Sequence, residues 1–266
     1  SFGSREHART VLSASRIFGS HHPDYLLPVR GRAFQWAVRA PRVFLQHGIM
    51  GTKNMVANYG FNSPTFDAEA FLVSSQREFE MITDDFGWPA DRVHITGLSR
   101  FDRLLADHPP PENRLLVMPT WRDWLQTPDD VANSEYLERW TGLLNSEQFT
   151  AFLTDHDLQV DLYLHSNMQP SAHLFAADRL HLVGHGDVPV QDLLLRSKVM
   201  LTDYTSAAID FALLNRPVVY YQFDRSRFIG DRPSHFILDR ELPGHIAFRE
   251  RAVVEQLQAA GGGGGA

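Results

Sequence analysis

The sequence predicts an α/β protein with parallel sheets, arranged as two similar halves. Three observations carry this. Apolar runs of strand length alternate with stretches of helical spacing, the pattern of a parallel sheet wound through helices. Glycine follows some of these runs almost at once, where the backbone must turn sharply. Residues 107–113, DHPPPEN, set three prolines in a row between the halves and mark a domain boundary. The expected division is 1–107, 114–258 and a glycine-rich tail at 259–266.

In the first half, residues 1–40 give mixed signals, with a strand expected near Val11 and a loop around His21 and His22. Residues 42–46 (RVFLQ) form a strand that runs directly into His47-Gly48-Ile49-Met50-Gly51-Thr52-Lys53. Residues 71–74 (FLVS) form the next strand. Residues 75–86 have helical spacing and stop at Gly87-Trp88-Pro89. Residues 92–96 (RVHIT) form a further strand, closed by Gly97.

The second half restarts at 114–118 (RLLVM), followed by Pro119-Thr120-Trp121-Arg122. Helices are expected at 134–144 and 146–155, strands at 158–164 and 180–183, and a helix at 190–196. Residues 197–224 then read as a βαβ crossover: strand 199–201, a helix opening near Thr205 and Ser206, and strand 218–221 after the stop signal Asn215-Arg216-Pro217. Thr205 and Ser206 fall where the first helical amides lack intrahelical partners, a setting that attracts phosphate. Asp210 lies one turn further on the same face. Capping of a core helix by Asp203, Thr205 and Ser206 accounts for the local pattern equally well.

Composition narrows the function. At 266 residues and 43% hydrophobic, the chain can bury one large core or two smaller ones. Without cysteine there is no disulfide, thiolate metal site or cysteine nucleophile, in keeping with a reducing compartment. A net charge of −7 argues against a broad nucleic-acid-binding face. No window reaches the ~20 apolar residues of a spanning helix, and the N-terminus lacks signal-peptide order, so a soluble, cytoplasmic chain is expected. Starting at Ser1 and ending in GGGGGA, it reads as a piece of a longer protein.

Ligands of open α/β sheets bind beyond the carboxyl ends of the strands. His47, Arg100, Thr120, Arg122, His165 and Thr205 all lie just past predicted strand ends, and the two rims are expected to face one inter-domain cleft. His47 is suited to take a proton near neutrality, although a histidine capping a strand end would look the same. His165 has the same two readings, and its chemical use would be as a second acid or base or as a donor to a phosphate oxygen. Lys53, Arg100 and Arg122 are natural phosphate partners, but charged loop residues are commonly just solvated. Trp121 and Trp124 fit packing better than base stacking. His181 and His185 have zinc-pair spacing without the helix such a pair requires. The pairs Asp84-Asp85 and Asp129-Asp130 read as solvated turns.

Taken together, LQHGIMGTK, GLSRFD, MPTWRDW, YLHSNMQ and LTDYTSAAIDFALLNRPVVYYQFD resemble, in order and spacing, the CDP-glycerol glycerophosphotransferase family of teichoic-acid primases and polymerases and related capsule polymerases. The resemblance spans 41–224. It implies a GT-B-like architecture of two Rossmann-like domains with the active site in the cleft between them. It also implies transfer of glycerol or ribitol phosphate from CDP-glycerol or CDP-ribitol to a lipid-linked or oligosaccharide polymer acceptor, releasing CMP.

By the same resemblance His47 is the catalytic base, after which Gly48 and Lys53 follow, and His165 is the second essential histidine. Arg100 closes the family's G-x-P-R turn, with Ser99 where proline is common. Pro119 and Thr120 line the nucleotide site. Thr205, Ser206 and Asp210 contact the donor, Thr205 replacing a serine. HGIMGTK departs from the family's HGTPLKK, which leaves polyol and acceptor specificity open. Only 46 residues precede His47, so the first domain is expected to be incomplete or reduced.

No cofactor or obligatory metal is expected, and positioning and electrostatics would carry the phosphoryl transfer. Lipid-linked acceptors would bring peripheral contact with the inner membrane face. Two other readings remain open: a GT-B glycosyltransferase using a nucleotide sugar, and a catalytically silent module that binds an anionic polymer or a partner enzyme.

Overall fold

The structure, a computed structural model, describes residues 1–29, 32–64, 66–177 and 179–261. The expected glycine-rich tail lies, from residue 262 onward, outside the described residues. The chain divides into two compact units. Unit 1 comprises Ser1–Asp102 with Arg232–His235, and unit 2 comprises Arg103–Asp231 with Phe236–Ala266.

Unit 1 is organised on a parallel sheet of β1 (Ile17–Gly19), β2 (Arg42–Phe44), β3 (Ala70–Val73) and β4 (Val93–Ile95), in that spatial order. Every strand therefore ends on the same edge. The helix Gln76–Asp84 starts where the Ser75 hydroxyl accepts from the Glu78 amide, and it buries Met81 and Ile82. Phe44 meets Phe66 and Phe71 edge to face, at 5.0 and 4.9 Å between centroids, in the core.

The strand expected near Val11 is instead the helix Arg5–Ser13. The Ser4 hydroxyl caps it by accepting from the His7 amide, and Val11 is its buried residue. An apolar pair at Val11 and Leu12 suits either element, and the cap decides for helix. The strand of this region is β1, whose three residues are too few to show alternation.

Unit 2 carries six parallel strands: β5 (Arg114–Met118), β6 (Gln159–Tyr163), β7 (Leu180–Val183), β8 (Val199–Thr202), β9 (Val218–Tyr221) and β10 (His245–Ala247). Their spatial order is β10-β9-β8-β5-β6-β7. From β5 the chain winds outward one way through β6 and β7, then returns to β8 and winds out the other way. This is the doubly wound order, and its switch point lies between β5 and β8.

Both faces of such a sheet are covered, so the strands read as unbroken apolar runs. Leu115, Val117, Leu201 and Val219 are fully buried, and Trp140, Phe149 and Leu257 pack in the same core. Asn215 takes a left-handed backbone, φ 56°, just past the helix Ala207–Ala212, as the stop signal requires. No helix among the described residues is long and apolar enough to cross a membrane.

Candidate active site

In unit 1 the candidate base is set by a kink. Gln46, two residues past β2, holds φ 65°, a left-handed conformation that costs a side-chain-bearing residue about 1–3 kcal/mol. The kink is anchored from below: buried Gln46 donates through Nε2 to Glu78 Oε1 at 2.9 Å. Glu78 Oε2 in turn accepts from the Ser74 amide at 2.7 Å and the Ser74 hydroxyl at 2.8 Å. Strand β3 and its following helix thus fix the turn that presents His47.

The His47 ring is solvent-accessible on one side and lies 6.0 Å from the Tyr59 ring and 6.3 Å from the Phe44 ring. A ring N–H is held by the Ser20 backbone, so a neutral imidazole keeps the lone pair on its other nitrogen. Partial burial lowers the His47 pKa below the ordinary histidine value, and the neighbouring His21 and Arg100 charges lower it further. The ring is therefore neutral and able to accept a proton at pH 7.

Gly48 is buried, and Lys53 sits half-buried in the turn that follows. That turn is strapped by Arg232–His235: the Gly51 carbonyl accepts from the Ser234 hydroxyl at 2.7 Å and from the His235 amide at 2.9 Å. Arg100 opens the helix Arg100–Leu105 beyond β4.

In unit 2 the predicted residues gather on the switch-point rim. Adjacent strand ends carry Gln222–Asp224 on β9, Asp203–Ser206 on β8, Pro119–Arg122 on β5 and His165 beyond β6. Asp203, fully buried, accepts the Thr120 amide at 2.8 Å and the Tyr204 amide at 2.6 Å, a bond across the switch point. The Thr120 hydroxyl is itself buried, beside the Asp203 carboxylate. The Thr205 hydroxyl accepts from the Ala207 amide at 3.3 Å, so it does cap the helix, whereas Ser206 makes no side-chain cap bond. Asp210 is buried in that helix.

Arg122 departs from the expectation of a phosphate partner on a loop. It is fully buried, with Nε on Asp224 Oδ2 at 2.7 Å, Nη2 on Asp203 Oδ2 at 2.9 Å and Nη1 on the Thr120 carbonyl at 2.6 Å. Tyr136, Tyr204 and Phe228 rings enclose the guanidinium at 4.9–5.0 Å. Tyr204 also donates its hydroxyl to Asp224 Oδ1 at 3.0 Å. The physical reason is pairing: a planar cation can be buried where Asp224 grips it bidentately, through Nε at 2.7 Å and Nη2 at 3.1 Å, with Asp203 in ion-pair reach.

His165 is exposed and lies stacked with Trp121, 5.9 Å between centroids at 18°. Its Nδ1 accepts the Asn167 amide at 3.2 Å, which places the proton of the neutral ring on Nε2. Partial burial, with the His185 charge second, lowers its pKa. The geometry therefore makes His165 a hydrogen-bond donor at neutral pH.

Trp121 packs on the unit 2 core and donates to the Leu125 carbonyl at 3.3 Å, and Trp124 lies under Arg227 at 4.3 Å. His181 and His185 are engaged separately, with Asp161 at 3.0 Å and the Tyr163 hydroxyl at 3.1 Å. A cavity of about 430 Å³ nearby is lined by Trp124, Asp129, Asp130, Glu135 and Arg227 among others. Its carboxylates disfavour an anion, and Thr120, His165, Thr205 and Ser206 do not line it. Gln46, Glu78 and Asp224 have no role assigned by sequence reasoning; only the presence of Gln46 and Asp224 inside the shared motifs hints at one.

Residues 42–261 match the family model for CDP-glycerol:poly(glycerophosphate) glycerophosphotransferase. The chain is 25% identical over 256 residues to the minor teichoic acid biosynthesis protein GgaB of Bacillus subtilis, covering 90% of this chain and 27% of that protein. It is 32% identical over 120 residues to a teichoic acid glycerol-phosphate primase of Bacillus spizizenii, covering 42% and 31%. The chain thus spans about a third or less of these relatives. Among solved structures, a variant of the wall teichoic acid polymerase TagF soaked with CDPG superposes with a TM-score of 0.65 at 15% identity, over 94% of this chain and 65% of that one. The likeness is one of fold: two Rossmann-like units of the GT-B type.

Arg122→Ala leaves Asp203 and Asp224 without their buried cation, and Asp203→Ala strands the Thr120 and Tyr204 amides without their acceptor. Arg122→Ala and Asp203→Ala are each expected to cost about 3–5 kcal/mol, read from urea unfolding midpoints. Loss below about 1 kcal/mol in both would show that the pairs do not hold the rim together.

Proposed function

We propose that this chain, which belongs to the CDP-glycerol:poly(glycerophosphate) glycerophosphotransferase family, moves glycerol or ribitol phosphate from a CDP-polyol to a hydroxyl of a teichoic-acid-like acceptor, releasing CMP. The observation that carries the reading is the switch-point rim of unit 2. Thr120, the Ser206 hydroxyl without a cap bond, and the Nε2–H of His165 end on adjacent strand termini, where an open α/β sheet takes its nucleotide.

The chemistry follows from the charges. The acceptor oxygen attacks the polyol-linked phosphorus, an O–P bond forms, and the bond from that phosphorus to the bridging oxygen breaks. The electron pair leaves with CMP. The acceptor proton passes to the free nitrogen of His47, which is neutral at pH 7. His165 donates Nε2–H to an oxygen on which negative charge grows, and Thr120, Thr205 and Ser206 orient the pyrophosphate. Arg122 acts as a positioning residue, since its donors already serve Asp203, Asp224 and the Thr120 carbonyl.

With CDP-glycerol and a glycerol-phosphate oligomer, His47→Ala is expected to lower CMP release by about 10²–10⁴-fold and His165→Ala by about 10²–10³-fold, with unfolding midpoints unchanged. Because the His47 pKa is depressed, the acid limb of kcat/KM should fall below pH ~6.5. Full activity in either variant removes the assignment.

The same proposal places the acceptor on a lipid and the chain against the inner membrane face. Exposed Phe2, Leu12, Phe18 and Trp36 lie in the first 36 residues, together with Arg5, Arg9 and Arg16. Sedimentation with phosphatidylglycerol vesicles, lost on Phe18→Ser with Trp36→Ser, is the expected result. Equal binding to neutral vesicles, or none to either, contradicts it.

A further inference from the structure

The loop after β1 reaches the candidate base. Gly19 of β1 is in register with Phe44 of β2, and the Leu45 amide donates to the Gly19 carbonyl at 2.8 Å. Ser20 and His21 therefore emerge beside the turn that presents His47. Ser20 supplies the backbone partner of one His47 ring nitrogen. The His21 ring lies face to face on the His47 ring, 4.9 Å between centroids at 15°, and its Nδ1 is 3.2 Å from the Ser20 hydroxyl.

We propose that His21 is a positioning residue for His47: its stacked ring fixes the plane of the base while Ser20 fixes its tautomer. The proposal rests on the reading of His47 as the base given above. The groups that face His47 come from four elements: His21 from the β1 loop, Phe44 from β2, Tyr59 from the helix Val56–Tyr59, and Arg100 from the helix after β4.

Two imidazoles at stacking distance repel when both carry a proton, so the pair resists double protonation. A proton received by His47 is then held loosely, and it passes readily to water after CMP has left. A bulky aliphatic neighbour would give neither the ring plane nor this discrimination.

The test compares His21→Phe, which keeps a flat ring without charge, with His21→Ala, which removes both. In each, the His47 Cε1–H titration followed by NMR should move upward, because a neighbouring imidazole able to carry a like charge has been taken away. The acid limb of kcat/KM for CMP release from CDP-glycerol, with a glycerol-phosphate oligomer as acceptor, should move upward with it. His21→Ala should also lose about tenfold or more in kcat at unchanged KM, while His21→Phe should keep most of it. An unmoved His47 titration in both variants, or equal kcat in both, overturns the proposal. If the unsubstituted chain releases no CMP, the base reading fails on its own, and the NMR titration still decides whether His21 acts on His47.

Discussion

A guanidinium cut off from water must be neutralised where it stands, and Arg122 meets that demand by drawing three strand ends together. Its partners Asp203 and Asp224 follow β8 and β9, and its own segment follows β5. Arg122 and Asp224 are 102 positions apart in the chain, so the pairing closes a long loop for the sake of one local geometry. Asp203 then has one oxygen for the Arg122 cation and one for the amides of Thr120 and Tyr204. The orientation of Thr120 and the start of the Thr205-Ser206 turn are consequences of that arrangement. A buried pair of this kind contributes little net stability against a hydrophobic substitute, and its value lies in the uniqueness of the geometry it imposes.

Unit 1 solves a similar problem with weaker forces. A left-handed Gln46 is unfavourable by itself, and the bond from its side chain to buried Glu78 holds it. Glu78 is held in turn by Ser74, so strand, helix cap and kink form one connected set. In both units a polar network just beneath the rim orients a few exposed groups above it. The exposed groups are neutral histidines whose tautomers are dictated by backbone partners, Ser20 for His47 and Asn167 for His165.

Much of this architecture is legible in the amino-acid sequence. Strands β5 and β9 read correctly because burial on both faces writes them as continuous apolar runs; 114–118 and 218–221 coincide with the observed strands, as does 180–183, the partly exposed β7. The same logic places His47, Thr120, His165 and Ser206 at strand ends. Arg122 reads as a loop cation because its fate depends on carboxylates far along the chain, which local pattern does not reveal. β1 and β10, at three residues each, are too short for periodicity, and without β1 nothing in the sequence sets His21 beside His47. Stacking, tautomer and capping are tertiary facts, decided by which loops neighbouring strands bring together.

The central claim is that the switch point between β5 and β8 is where the donor binds. The most direct measurement is an amide-resolved NMR titration of the chain with CDP-glycerol. The account predicts the largest shifts at Thr120, Thr205 and Ser206, with the His165 ring responding in step. Saturable shifts confined to the acidic pocket around Trp124 and Glu135, with those amides unmoved, would contradict it.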